Sequence, residues 1–166
     1  MKIRAGFVAN SSSTNFVVAF PRGFKPTPEA VKAYLFARRS SITAPYYDKE
    51  LPIDAAAARI CAQMIRQRPN GLRNIANALR GSLPGRPAMS KFPLSGSKTG
   101  ETDWKAYDGA VEAHRRAFWA RKGPELRAKG DLYVFTFADD HKSLEEAILR
   151  HGHPFRAAPH ITIDNS

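Results

Sequence analysis

The sequence predicts an α+β fold in which a small sheet, formed by strands near both chain ends, carries a mainly helical insertion. Three segments have the composition of strands, at about 16–20, 132–138 and 160–164. Helical patterns instead fill about 54–122. The chain has 166 residues, 43% of them hydrophobic and 25% charged, which suits one domain over 1–166 that folds without disulfides or a structural metal.

Composition and capping residues mark the first elements. Segment 16–20 reads FVVAF, and its β-branched and aromatic residues before a proline indicate a buried strand. Thr27 and Pro28 then supply an N-cap and a first-turn proline, which predict a helix from there to about Arg38. Residues 40–52 are predicted to form a loop.

Two further helices are predicted in the middle of the chain. Asp54 would cap the second helix, which would end at Arg68 before Pro69. Asn70 would cap the third helix, and Gly81 would end it. The short turn between them predicts a helical hairpin, which has the outline of a helix-turn-helix.

The region after the hairpin is rich in glycine, proline and serine. Over 82–100 this composition predicts a long flexible loop. A fourth helix is expected over about 103–122 and is predicted to break at Gly123-Pro124. Its apolar seam at helical spacing is predicted to face the core and consists of Trp104, Tyr107, Val111, His114 and Phe118.

The C-terminal part supplies the other two strands. Segment 132–138 (LYVFTFA) is almost wholly apolar, which predicts a central strand. Ser143 and Glu146 have the spacing of a capping box, so a helix should begin there, and Gly152 should end it. Segment 160–164 alternates as a terminal strand does.

Charge is the strongest signal of function. The net charge is +11, and residues 1–100 hold 16 basic and 4 acidic side chains. Residues 55–100 contain no acidic side chain. Such a segment creates a positive field that attracts polyanions or acidic protein surfaces.

The candidate binding residues are the basic and amide side chains of this segment: Arg59, Arg66, Arg68, Arg73, Asn74, Asn77, Arg80, Arg86, Lys91 and Lys98. In a nucleic-acid complex, arginine and asparagine on the third helix could read guanine and adenine edges while the other cations hold phosphates. The same residues could instead bind an acidic protein, as in a virion component or an inhibitor of a host defence system. An ordinary hairpin with a solvated basic face is the third interpretation.

No decisive catalytic motif is present, so we expect a binding protein without a cofactor rather than an enzyme. A metal-dependent hydrolase is the weaker alternative, and its candidate ligands are His151, His153 and His160 with Asp139, Asp140 or Asp164. Cys61, the single cysteine, excludes an internal disulfide and is interpreted as a small buried hydrophobic residue. Segment 96–99 (GSKT) lacks the first glycine of a P-loop.

The chain opens with a basic start, Gly6-Phe7-Val8, Ala9-Asn10, a serine run over 11–13 and then Phe16. This opening resembles an N-terminal signature of many phage and bacterial proteins, in which serine usually stands at the position of Ala9. The resemblance implies a phage or prophage setting and carries no activity. Together with the absence of a long apolar run, it leads us to expect a protein of the host cytoplasm or the virion, with no membrane contact.

Overall fold

The structure, a computed structural model, describes residues 13–45, 47–93, 95, 101–138 and 143–164. Its elements are β1 (Ser13–Phe20), α1 (Pro28–Phe36), β2 (Ser41–Ala44), β3 (Tyr47–Pro52), α2 (Ile53–Ile65), α3 (Leu72–Ala78), a 3₁₀ helix (Met89–Lys91), α4 (Trp104–Lys129), β4 (Asp131–Ala138), α5 (Leu144–His151) and β5 (His160–Asp164). The fold is α+β, as predicted, and the part of the chain between α2 and β4 that the structure describes is mainly helical.

The main sheet unites the two chain ends in the order β4-β1-β5, with both pairings antiparallel. Phe16 on β1 lies opposite Phe135 on β4 and Thr162 on β5. The prediction that 132–138 is the central strand is wrong, because β1 occupies the centre. β4 is nevertheless strongly apolar because helices cover both of its faces.

Side-chain alternation along β1 divides the core into two layers. Phe16, Val18 and Phe20 pack with α1, α2, α5 and the β2–β3 hairpin. Val17 and Ala19 face the other way and pack with α3 and α4. Each of the larger side chains among these stabilises the fold by about 1.5–3 kcal/mol through burial. The result is a sheet between two helical layers, which we call the α1/α2/α5 side and the α3/α4 side.

Two glutamine side chains occupy the outer edge of β4. The side-chain amide of Gln67 accepts from the Val134 N–H at 2.9 Å and donates to the Val134 carbonyl at 2.8 Å. Gln63 makes the same pair of bonds with Thr136, both at 3.2 Å. Gln63 and Gln67 are four residues apart and lie on the same face of the helical turn. Their separation matches the distance between Val134 and Thr136, whose N–H and carbonyl groups point outward from β4, so the two amides substitute for a neighbouring strand.

Thr27 and Ser143 cap their helices as predicted, but Asp54 and Asn70 do not. Asp54 lies within the first turn of α2 and forms an ion pair with Lys32 on α1. Asn70 precedes the N-cap of α3 and has a φ of 58°. Its side chain accepts from the backbone N–H of β4 residue Leu132 at 3.0 Å, so tertiary bonds replace the local cap.

Two other predictions are wrong. Residues 40–52 hold the β2–β3 hairpin rather than a loop, with Ile42 and Leu51 buried on one face. α4 also continues through Gly123-Pro124 to Lys129. The proline removes one N–H donor from the helix, and the acceptor left without it belongs to exposed Ala120, where water can replace the bond.

Candidate functional site

The predicted helical hairpin is not formed. Ile60 and Met64 on α2 pack on the α1/α2/α5 side, whereas Ile75 and Ala78 on α3 pack on the α3/α4 side. The connection over 66–71 crosses the outer edge of β4. α3 therefore lacks the supporting helix that a helix-turn-helix requires.

α3 presents a basic ridge to solvent. Ile75 and Ala78 bury one side of the helix. With 3.6 residues per turn, Arg73 projects on the opposite side, and Arg80 follows just after the helix ends. Asn77 lies next to them and also lines a polar cleft toward the sheet, and all three residues are exposed. The structure thus brings these three predicted residues together on one convex strip.

Arg66 and Arg68 extend this strip around the sheet edge. Both side chains are exposed where the chain passes from α2 to α3. Among the described residues, no carboxylate lies within ion-pair distance of these two arginines or of those on the ridge. We call the set Arg66, Arg68, Arg73, Asn77 and Arg80 the α3 arginine surface.

Arg59 does not join this surface, and Asn74 lies at its border. Arg59 forms an ion pair with Glu146 of α5, on the other side of the sheet. Asn74 and Asn77 both line a polar cleft between α3 and the sheet, together with Asn15 and Thr136. Thr136 donates to the Asn15 side-chain oxygen at 2.7 Å, so the cleft is largely satisfied by its own bonds.

Arg86 and Lys91 lie beyond the C-terminal end of α3. Arg86 donates to the Ser82 hydroxyl at 3.0 Å, which holds its guanidinium near the backbone. Lys91 is exposed at the end of the 3₁₀ helix. Lys98 lies outside the described residues.

An aromatic cluster next to Arg86 was not foreseen as a surface feature. Phe92 and Trp104 both pack edge-on against Tyr107. Their ring centroids lie 5.7 and 6.0 Å, respectively, from the centroid of the Tyr107 ring. The Arg86 guanidinium lies 5.5 Å from the centroid of the Tyr107 ring. Trp104, predicted to face the core, is 59% exposed because it stands at the first position of α4, before the helix reaches the sheet. Helical spacing alone could not show at which residue α4 begins to contact the sheet.

The histidine candidates are divided between two places. His151 and His153 line a groove, whereas the His160 ring packs near Phe16 and Phe155. Among the described residues, no group of three or more histidine, cysteine or acidic side chains could hold a metal ion. Two carboxylates of that hypothesis, Asp139 and Asp140, lie outside the described residues.

Cys61 is buried in the core of the α1/α2/α5 side, as predicted. Burial, with a smaller contribution from Glu29, raises the pKa of its thiol. The neutral thiol is a poor nucleophile, which agrees with a packing role.

The groove is the second basic region, and the sequence did not reveal it. It lies between the C-terminal end of α1, strand β2 and the segment after α5, with a volume of about 1020 Å³. Its cations include Arg38, Arg39 and Arg156. The Arg38-Arg39 doublet is visible in the sequence, but only the fold places Arg156 beside it.

Comparisons of the chain with protein-family models, with curated proteins and with solved structures find no match. The phage-like signature therefore stays a prediction, and most of it lies at 1–12, outside the described residues. None of the helices in the described part of the chain combines the length and apolar character needed to cross a membrane.

Proposed function

We propose that this protein binds nucleic acid through the α3 arginine surface, by contacts to the phosphate backbone, and that it does so without catalysis. One observation carries the proposal: four exposed arginines, two on the convex outer side of α3 and its C-terminal end and two on the connection that leads into α3, have no carboxylate partner among the described residues. Arginine forks bind phosphate oxygens in bidentate fashion, and neutralising phosphates releases counterions.

The geometry of α3 favours backbone contacts over base reading. The helix has seven residues and is therefore about 10 Å long. It packs mainly on the sheet, and α4 meets only its C-terminal end, so no partner helix holds its N-terminal end out toward a major groove. Contacts to phosphates position a protein on nucleic acid but carry little sequence information, so we expect low sequence specificity.

The aromatic cluster extends the proposal toward single strands. Arg115 of α4 donates to the Leu79 carbonyl at 2.8 Å, which fixes α4 against the end of α3. Trp104 at the start of α4 therefore lies on the same side of the sheet as α3. An exposed indole near Arg86 offers a base a face to stack on, which is how sequence-tolerant proteins hold single strands.

Fluorescence anisotropy with random-sequence single-stranded and double-stranded oligonucleotides tests the proposal. Binding should be measurable at about 50 mM salt and should fall steeply by about 200 mM. The double variant Arg73→Glu/Arg80→Glu should lose most of the affinity. Its matched control is Lys25→Glu/Lys49→Glu, which changes the net charge equally at exposed positions on the α1/α2/α5 side. Equal losses in both variants, or no binding at the lower salt, would overturn the proposal.

A second candidate function is binding to an acidic protein surface, and two exposed apolar side chains favour it. Ile65 and Leu72 are 67% and 70% exposed and flank Arg66 and Arg68 in the chain. Protein interfaces combine apolar contacts with arginine, whereas isoleucine and leucine side chains contribute nothing to phosphate binding. Capture of one partner from a nuclease-treated extract, lost in Ile65→Ser/Leu72→Ser, would support this function. Unchanged oligonucleotide binding in that variant would support the first.

A further inference from the structure

We propose that the groove beside α1 is a separate binding site for a small phosphorylated organic molecule. Two segments that are distant in the sequence form it: one runs from the end of α1 through β2 to the turn that follows, and the other is the chain from the end of α5 onward. Its volume of about 1020 Å³ is at the upper end for small-ligand sites. It lies on the α1/α2/α5 side, away from the α3 arginine surface.

The charge of the lining points to an anion. Arg38, Arg39, Arg156 and two histidines line the groove, and the described lining residues include no aspartate or glutamate. Arg38 and Arg156 are exposed, and within the described part of the chain their guanidinium groups make no hydrogen bond or ion pair. Like charges that converge on one concavity repel each other, and a bound anion relieves that repulsion.

Arg39 has a different role in the same groove. Its guanidinium donates to the carbonyls of Gly152 and His153, each at 3.5 Å. These carbonyls belong to the C-cap of α5 and to the residue after it, close to the negative end of the helix dipole. Arg39 therefore compensates that partial charge and joins the chain after α1 to this segment. The positive charges of Arg38 and Arg156 remain available for a ligand.

The histidine wall of the groove is held rigidly. A Cβ atom at Gly152 would lie 2.2 Å from the Ile42 side chain and 2.9 Å from the Thr43 carbonyl, so this backbone packs directly on β2. The next residue, His153, has a φ of 49°, and Asn70 is the other described non-glycine residue with positive φ. In that conformation Asn70 forms a hydrogen bond to β4. The same conformation at His153 places this residue in the wall of the groove.

The shape and composition of the groove select the ligand class. Arginine's planar fork matches phosphate oxygens, which favours a phosphate group over a simple halide. Leu35, Ala44 and Pro45 add an apolar wall, which suits an organic body attached to that phosphate. A concave space of this size admits a mononucleotide but not a duplex.

Isothermal titration calorimetry with AMP tests the inference, with adenosine and inorganic phosphate as its two halves. We expect AMP to bind with a Kd below about 1 mM, phosphate more weakly and adenosine more weakly still. The variant Arg38→Gln/Arg156→Gln should weaken AMP binding at least tenfold, roughly the loss of one charge-assisted bond. The control Arg73→Gln/Arg80→Gln, which removes the same charge from the α3 arginine surface, should leave it unchanged.

Three results would overturn the inference. They are no heat from AMP or phosphate up to about 10 mM, equal losses in the two double variants, and a preference for citrate over both phosphate ligands. Circular dichroism of Arg38→Gln/Arg156→Gln shows whether the variant is folded. If it is not, the single variants at these exposed positions replace it. Oligonucleotide binding by the α3 arginine surface is measured separately, so the two proposals stand or fall independently.

Discussion

The α3 arginine surface and the groove are both basic, yet they differ in curvature and in origin. The first is convex and comes from one continuous stretch of chain, 66–80. The second is concave and joins residues from α1, β2 and the segment after α5. A convex strip can follow a long polyanion, whereas a concave one encloses a small ligand. Arginine content alone therefore does not determine the ligand, because the fold decides the curvature on which the charge is displayed.

The largest effect is expected from a packing change that alters the groove and leaves the α3 arginine surface intact. Gly152→Ala would drive a Cβ into Ile42 and the Ile148 carbonyl, so the groove wall must shift. We expect a stability loss of about 3 kcal/mol from overpacking and the loss of AMP binding. Urea unfolding and calorimetry measure these two quantities. Oligonucleotide binding by the folded fraction should not change, and a parallel loss there would show that the regions are not independent.

Charge reversal on the convex side should come next in size. For Arg73→Glu/Arg80→Glu we expect roughly 100-fold weaker oligonucleotide binding, since two phosphate contacts become repulsive. The slope of log K against log salt should become shallower by about 2. Anisotropy over a salt series gives both values. An unchanged slope would mean that these arginines do not contact phosphates.

A smaller effect concerns the anchor of the α3 arginine surface. Gln67→Leu would leave the Val134 N–H and carbonyl without partners at the edge of β4, at a cost of about 1–2 kcal/mol. Urea unfolding should show this loss. Arg66→Leu, which removes an exposed side chain with no partner among the described residues, should cost much less. AMP binding should be the same in both variants.

The smallest effect should be confined to one ligand. Trp104→Ala removes an exposed stacking face and should weaken single-stranded DNA binding about tenfold, while duplex binding stays within twofold. Met89→Ala, at another exposed apolar side chain nearby in the chain, is the matched control. Anisotropy with the two oligonucleotide forms measures the difference. Equal losses on both forms would assign Trp104 a structural rather than a stacking role.

Local signals predicted the parts of the fold that local physics determines. The strand over 160–164 was predicted with its observed bounds, and Thr27 and Ser143 cap their helices because each side chain accepts a bond from the third residue after it. The β2–β3 hairpin was missed, since Asp48, Lys49 and Glu50 are all exposed and interrupt the alternation that marks a strand.

The features that the sequence did not predict correctly depend on contacts between residues far apart in the chain. Asn70 has the side chain of an N-cap but bonds to β4, which lies about sixty residues further along the chain. The prediction of a helical hairpin is wrong for the same reason, because the sheet edge passes between α2 and α3 and separates them. The groove could not be predicted either, since Arg39 meets Gly152 and His153 only in the folded chain.

The glutamine side chains on β4 also affect how copies of this protein meet one another. A strand with open N–H and carbonyl groups is a template on which another chain can add, and this is a common route to aggregation. Gln63 and Gln67 occupy those groups along the middle of β4. Growth of the sheet from molecule to molecule is therefore blocked on that side. Strand addition to the main sheet would have to begin at β5, where the Asp164 carbonyl already accepts from the Ser82 N–H.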